Sequence, residues 1–227
     1  MKFAFVVATK VGRDAAHLLP INRTLGMMNH IKQGVSVDVC PIYNNKRGLA
    51  TVYNEFLENP HAADYDYIVF IHDDVWLNDV LLFQKLMDSE FDVIGLCGGK
   101  QWVVNPDTEV RNIWTKACKG EASGFVVHSP KPDTFFASGF GVAPQRTVTL
   151  DGQFICFTRK AVEAGLKFDE RFQWHYYDMD VCVQANKLGL KVGTAPILAT
   201  HQSLGQSVMS PEFMTSQKQF IDKWFVR

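Results

Sequence analysis

The sequence has no paired-cysteine framework. Its five cysteines, Cys40, Cys97, Cys118, Cys156 and Cys182, are scattered, odd in number and include no CxxC pair. That spacing fits neither a disulfide scaffold nor a structural zinc site. Four of them (Cys40, Cys97, Cys156 and Cys182) lie in or beside apolar runs, where a thiol behaves as a small buried hydrophobe. The expectation is a reduced, cytoplasmic protein. A surplus of either charge is also missing, since 23 basic and 24 acidic residues leave a net −1. This excludes nucleic acid as the main partner, because binding a phosphate backbone draws on a basic excess. No window approaches the ~20 apolar residues that cross a bilayer. The N-terminal run Phe3 to Ala8 is too short for a secretion signal and passes directly into polar Thr9-Lys10. After that run a glycine-rich basic loop is lacking: Thr9-Lys10-Val11-Gly12-Arg13 holds one glycine. A sugar-nucleotide-forming nucleotidyltransferase would need such a loop. Internal repeats and low-complexity stretches are absent as well.

What is present suits one globular domain spanning residues 1–227, with 47% apolar and 21% charged residues. A chain of this size buries roughly 70% of its unfolded surface and needs no staples. Residues 3–8 form a continuous apolar run, as a strand covered on both faces requires. Helical spacing follows over 14–31, interrupted by Pro20. Val35 to Tyr43 alternates as a second strand, turn residues 44–48 lead into an amphipathic helix over 49–58, and Tyr67 to Ile71 makes a third strand. Asn78 is the expected cap of a helix through Leu86, and 91–96 a further strand. Residues 98–149 change character and read as long loops with short strands. A strand over 153–158 with a short helix ending near Gly165, a helix over 178–188 stopped by Gly189, a strand over 190–200 and a C-terminal docking helix over 211–225 complete the pattern.

Strand, helix, strand, helix, strand implies right-handed parallel crossovers. The fold class is therefore α/β, a mostly parallel Rossmann-like sheet flanked by helices. Ligands of such sheets bind beyond the carboxyl ends of the strands. Thr9, Asn44 and His72-Asp73-Asp74 then share one rim.

Two adjacent carboxylates at a strand end repel each other, and a divalent cation offsets that charge naturally. A solvated turn capping the next helix is the competing reading. Farther on, aromatic residues surround carboxylates in Trp174-His175-Tyr176-Tyr177-Asp178-Met179-Asp180, just before a helix. The helix dipole favours ionised Asp178, and an ionised carboxylate beside a substrate hydroxyl can act as general base. Asp180, two residues on, faces another side of the helix. The competing reading makes Asp178 a cap and Asp180 a first-turn acid. His201 follows the last strand and matters if it converges with the acidic cluster.

Phe70-Ile71-His72-Asp73-Asp74-Val75, Asp151-Gly152, Phe168-Asp169-Glu170-Arg171-Phe172, Tyr177-Asp178-Met179-Asp180-Val181-Cys182 and His201 together resemble family 2 glycosyltransferases. The similarity runs in order along nearly the whole chain, least distinctly over 98–149, and among bacterial members is closest to short rhamnosyl- and other polysaccharide transferases. It implies a GT-A fold, a nucleotide-sugar donor of UDP type, Mn2+ or Mg2+, and inversion at the anomeric carbon. By position it implies that Thr9, Asn44, Leu49, Ala50, Asn54, His72, Asp73 and Asp74 line the donor site. Asp74 and His201 would hold the metal, and Asp178 would be the base. On the acceptor side it implies Asp151 and Gly152, with Trp174 and Asp180 beside them. Residues 1–97 would form the nucleotide-sugar-binding half and 98–227 the acceptor half.

This chain departs from the pattern at two places. His72 stands where the family's DxD motif begins with Asp, and Tyr177-Asp178 stands where Glu-Asp is usual. The implied acceptor is a hydroxyl on a glycan or lipid-linked glycan. Trp102, Trp114, Trp174 and Tyr176 offer aromatic faces for sugar rings or for the core. Lys218, Lys223 and Arg227 on the last helix permit peripheral contact with a membrane surface or plain solvation. The alternative functions are a non-catalytic nucleotide-sugar or carbohydrate-binding protein and, with a poorer match, a sugar nucleotidyltransferase.

Overall fold

The computed structural model describes residues 1–27, 34–102, 104–105, 109–110, 121–203 and 210–225. In chain order the first elements are β1 (Lys2–Ala8), a 3-10 segment (Arg13–Leu18), α1 (Pro20–Met27), β2 (Ser36–Ile42), α2 (Leu49–Glu58), β3 (Tyr67–Ile71), β4 (Val75–Leu77) and α3 (Leu82–Met87). Next come β5 (Val93–Gly95), β6 (Cys97–Gly99), β7 (Val104–Asn105), β8 (Glu109–Val110), β9 (Ala122–Lys131) and β10 (Thr134–Gly141). The chain ends with β11 (Phe154–Thr158), α4 (Arg159–Glu163), α5 (Tyr177–Lys187), β12 (Val192–Thr194), β13 (Ala199–His201) and α6 (Pro211–Trp224). Residues 28–31 of the first expected helix, together with Trp114, Cys118, Leu204, Gly205 and Arg227, lie outside the described residues.

The main sheet has six strands in the order β12-β5-β11-β3-β1-β2. β1 pairs in parallel with β2 and β3, and β12 with β5, whereas β11 runs antiparallel to both of its neighbours. The sheet is thus mostly parallel, as expected, with β11 as its one reversed strand. The chain leaves β5 at the carboxyl rim, builds a second sheet there, and re-enters from the same rim, so β11 runs back. That second sheet has the order β10-β9-β13-β4, with β6 also paired to β9. β4, β6 and β13 follow β3, β5 and β12 closely, so the second sheet stands directly over the rim.

Alternation along the strands builds a core on each face of the main sheet. Ala4, Val6, Ile68 and Phe70 join Tyr53, Phe157, Phe168 and Tyr177 on one side. Phe3, Phe5, Val69 and Ile71 join Leu19, Ile21, Leu82 and Phe83 on the other. Three sequence expectations need correction. The single strand expected over 190–200 is two, β12 in the main sheet and β13 in the second, because the chain crosses from one sheet to the other between them. Residues 98–149 contain, besides the short strands β7 and β8, a long hairpin, β9–β10, of ten and eight residues. Exposed side chains along β10 obscure its periodicity in the sequence. The helix through Leu86 begins at Leu82 with Leu81 rather than Asn78 at its cap, and buried Asp79 ties the turn before it. Asp79 accepts from the Leu81 and Leu198 backbone N–H groups (2.9 and 2.8 Å) and pairs with Lys85 at 2.6 Å, while Asn78 Oδ1 accepts from Thr200. Cys97, Cys156 and Cys182 are buried free thiols, and burial pushes each one up.

The C-terminal helix α6 docks through Phe213 and Phe220 and through one buried ion pair. Asp180 is fully buried, and its Oδ1 accepts from Lys223 Nζ (2.6 Å) and Trp224 Nε1 (2.7 Å) while Oδ2 accepts from Gln184 (2.6 Å). Its carboxylate is therefore spent on α6, which overturns the expectation that Asp180 meets an acceptor. Lys223 also reaches Asp169 at 2.7 Å, so it turns inward rather than toward a membrane surface. Removing one partner of a buried pair strands the other charge. Lys223→Met is accordingly expected to cost about 3–5 kcal/mol in urea unfolding, read as a lower midpoint at unchanged slope.

Candidate active site

The carboxyl ends of β1 and β3 bring the first group of polar side chains together. Thr9 Oγ1 donates to Asp73 Oδ2 at 2.6 Å and accepts from Val11 N at 3.1 Å. Asn45 N donates to the Thr9 carbonyl at 2.7 Å, and the Asn45 side chain bonds both ways with the Arg47 backbone. Around them lies a cleft of about 270 Å³ lined by Ala8, Thr9, Lys10, Asn45, Leu49, His72, Asp73, Asp74 and Trp174.

Gly48 lets α2 start against the 173–174 loop. A Cβ there would stand 2.5 Å from the Gln173 Cβ, and Leu49 N donates to the Gln173 carbonyl at 2.7 Å. Half-exposed Trp174, expected on the acceptor side, lines this cleft together with Leu49 instead. The other donor-side expectations fall elsewhere. Asn44 takes a left-handed turn (φ 52°) and donates its N–H to Val11, so Asn45 lines the cleft in its place. Ala50 is core. Asn54 is buried and its amide clamps the Phe168 backbone in both directions, at 2.8 and 2.9 Å, because α2 must hold the 168–170 loop.

His72, Asp74 and His201 form the second group, each offering a ligand atom within 4.8 Å of the others. His201 Nε2 stands 3.2 Å from Asp74 Oδ1, and the two imidazole rings are 5.9 Å apart. Burial lowers His72 below the ordinary histidine range. Burial acts the same way on His201, but the bond to Asp74 outweighs it and the net shift is upward. For Asp74, burial raises the carboxyl, yet the His201 bond and the nearby imidazoles carry it below its ordinary value. A site of this kind, with one carboxylate and two imidazoles, suits a divalent ion of intermediate hardness. A separation of about 3 Å is what two adjacent ligands at about 2.1 Å from one ion would have.

The third group hangs on Asp151-Gly152. Tyr177 OH donates to the Gly152 carbonyl (3.0 Å) and lies 2.8 Å from His72 Nε2. With the phenol proton on Gly152, His72 donates Nε2–H to the Tyr177 oxygen, which leaves its Nδ1 as the basic nitrogen. Gly152 N donates to Asp178 Oδ2 (2.9 Å), and Asp178 Oδ1 accepts from Met179 N (2.9 Å). Asp178 is partly open to solvent. Crowding by protein and then the charge of Asp151 push it up to about 7, against the pull of those backbone donors. The dipole argument from sequence is outweighed: desolvation of a carboxylate exceeds the help of a helix N-terminus.

The backbone just before α5 sets this geometry. Tyr176 has φ 67°, a left-handed conformation uncommon outside glycine, and its ring is held between Phe213 and Phe220 of α6. Trp102 packs on Phe220 and Phe225, so Trp102 and Tyr176 both serve the core. Gly152 has no room for a side chain, since a Cβ would fall 2.3 Å from Tyr177 OH. Gly152→Ala is expected to cost about 1–3 kcal/mol by overpacking and to separate Tyr177 from His72; the check is a thermal melt together with the Tyr177–His72 distance in a crystal structure of the variant.

Sequence reasoning missed Tyr177 as the link between the His72 group and Asp178, and it missed Lys10 and Asn45 at the cleft. Lys10 adjoins Thr9 at the strand end and was open to the same rim argument. His128 was also missed. It is the register partner of His201, with ring centroids 6.2 Å apart, and nothing in the residues 98–149 pattern announces it.

Residues 22–220 match a family described as "Glycosyltransferase like family", a family 2 type. Among solved structures, GalNAc-T7 with UDP, GalNAc and Mn2+ is 10% identical with a TM-score of 0.54, covering 99% of this chain and 48% of that one. The catalytic domain of Drosophila beta1,4-galactosyltransferase 7 is 14% identical with a TM-score of 0.49, covering 85% of this chain and 64% of that one. The inositol-1-phosphate CTP transferase from T. maritima is 14% identical with a TM-score of 0.42, covering 99% and 97%. The chain thus spans about half to two thirds of the two glycosyltransferases, and likeness at these identities concerns the fold. No curated protein matches the sequence.

Proposed function

The chain belongs to the family 2 glycosyltransferase-like family and has the GT-A fold, and from that premise we propose that it is an inverting transferase moving a sugar from a UDP-type donor to a hydroxyl of a glycan or lipid-linked glycan. The observation that carries this reading is the convergence of His72, Asp74 and His201 with Asp178 around Asp151-Gly152. Residues 1–97 supply most of the donor site, joined from the second half by Trp174 and His201. Thr9, Asp73 and Asn45 hold the nucleoside end of the cleft, with Lys10 beside the diphosphate and Trp174 across its mouth.

His72, Asp74 and His201 are the residues that would hold Mn2+ or Mg2+. Bound there, the ion supplies positive charge for the leaving diphosphate. Asp178 takes the proton of the acceptor hydroxyl as that oxygen attacks the anomeric carbon, from the face opposite the departing diphosphate. The Gly152 N–H and the start of α5 fix its direction, and burial, with the charge of Asp151, keeps its basicity near neutrality, where a general base is most useful. Tyr177, in place of the family's usual acid, carries the alignment from Gly152 to His72.

UDP and Mn2+, the pair named with GalNAc-T7, are the first ligands to try. Purified protein incubated with Mn2+ and a panel of nucleotide-sugars is expected to hydrolyse or transfer at least one UDP-sugar, with inverted anomeric configuration by NMR and with loss of turnover in EDTA. Binding of nucleotide-sugars with no turnover across donors and acceptors would instead identify a binding module.

A further inference from the structure

A second, larger cleft of about 690 Å³ meets the first at Asp74. Its walls are β4, β13 and the tip of the β9–β10 hairpin. In the second sheet Trp76 is the register partner of Thr200, and Thr200 of Val127. Alternation therefore puts Trp76 and Asn78 on one face with Thr200 and Gln202, while Val75 and His201 take the other. Phe135, two-thirds exposed, adds a second aromatic face from the hairpin, and Lys131 stands at the rim. Thr200 donates to Asn78 Oδ1 (2.9 Å), which leaves the Asn78 amide nitrogen as a donor. Arg23 lies over the Trp76 indole at 5.9 Å and steadies it.

We propose that this cleft holds the saccharide chain of the acceptor, beyond the sugar that presents the attacking hydroxyl; the inference rests on the glycosyl-transfer reading above. The lining chemistry selects that occupant. Pyranose rings offer C–H faces that stack on aromatic rings and hydroxyls that pair with amides and alcohols, and the cleft alternates the two. A lipid tail would leave Asn78 and Gln202 facing hydrocarbon without partners. A polyphosphate or nucleic acid would meet Asp74 and Asp133 with Lys131 as the one lysine in the lining. The volume falls within the roughly 300–1,000 Å³ usual for ligand sites, and the junction at Asp74 leads to the reaction centre.

The test titrates the full chain with xylobiose, cellobiose and maltose in the presence of UDP and Mn2+, following the tryptophan indole N–H signals by NMR. Binding of UDP with Mn2+ by the wild-type protein is measured first, and its failure would sink the transfer reading itself. Given that binding, at least one disaccharide is expected to shift the Trp76 signal, assigned by its disappearance in Trp76→Phe. Phe135→Ala, an exposed position whose melting temperature should match wild type, is expected to weaken that disaccharide at least tenfold. Three results would overturn the groove while leaving the donor site standing: no disaccharide binds, the shift appears at Trp174 and not at Trp76, or Phe135→Ala binds as wild type does.

Discussion

Asp178→Asn is expected to lose sugar transfer by about 10²–10⁴-fold and, above pH 7, to be more stable than the wild-type protein. The two effects have one cause. A carboxylate that must accept a proton from a substrate hydroxyl is placed where ionisation is unfavourable, crowded by protein and beside Asp151, so it titrates at about 7 rather than 3.8. The folded state therefore binds the proton more tightly than the unfolded chain does. Below pH ~4 both states carry it and stability is at its fullest; between pH ~4 and ~7 the folded state begins to lose that advantage, and above ~7 the loss is complete. Asn removes the titration. At one pH unit per 1.36 kcal/mol, and less one hydrogen bond that a single amide oxygen cannot replace, the gain at pH 8 is about 1–3 kcal/mol. Urea unfolding of both proteins at pH 5 and pH 8 reads it directly, as a difference present at pH 8 and much smaller at pH 5. Wild-type activity should rise with pH through about 7 as Asp178 ionises. A flat profile from pH 5.5 to 8.5, with Asp178→Asn fully active, would place the base elsewhere.

Asp74→Ala should remove most of the response to metal. Asp74 is the one carboxylate in the triad, and it stands 3.2 Å from His201. Outer-shell partners of metal ligands already account for about 10–100-fold in affinity, so loss of a ligand itself should exceed 100-fold. A ligand at 100 times its Kd stabilises the folded state by about 2.7 kcal/mol, and at a concentration equal to Kd by about 0.4 kcal/mol. At a Mn2+ concentration that saturates the wild-type protein, most of the thermal shift should therefore vanish in Asp74→Ala. His201→Ala should show the same loss, and Asp73→Asn, whose carboxylate accepts from Thr9, should retain the Mn2+ shift. Equal Mn2+ shifts in wild type and Asp74→Ala would remove the triad as a metal site.

Local pattern was enough for much of this molecule. The apolar run of β1, the amphipathic spacing of α2 and the apolar β3 placed those strands and helix at their observed positions, because alternation and helical period are visible in consecutive residues. The same rim argument put Thr9, Asp73 and Asp74 at strand ends. Asp178 and Asp180 were correctly separated onto different sides of α5 by helical geometry alone. What each then meets was not legible: Asp180 is buried against Lys223 and Trp224, more than forty positions away in the chain.

The sequence by itself determined the order of β1, α2, β3, α5 and α6 and the rim on which the strand-end side chains gather, and it supplied Asp74, Asp178 and His201 as candidates. These follow from near-neighbour sterics and from the side chains' own donor atoms. Only the tertiary structure decided that β11 runs backward, that His72 joins Asp74 and His201 within ligand distance, and that Asn54, Asn44 and Asp180 serve the scaffold. The reason is that proximity across the sheet and the desolvation that lifts Asp178 to about 7 are set by which segments pack together. No window of consecutive residues contains that information.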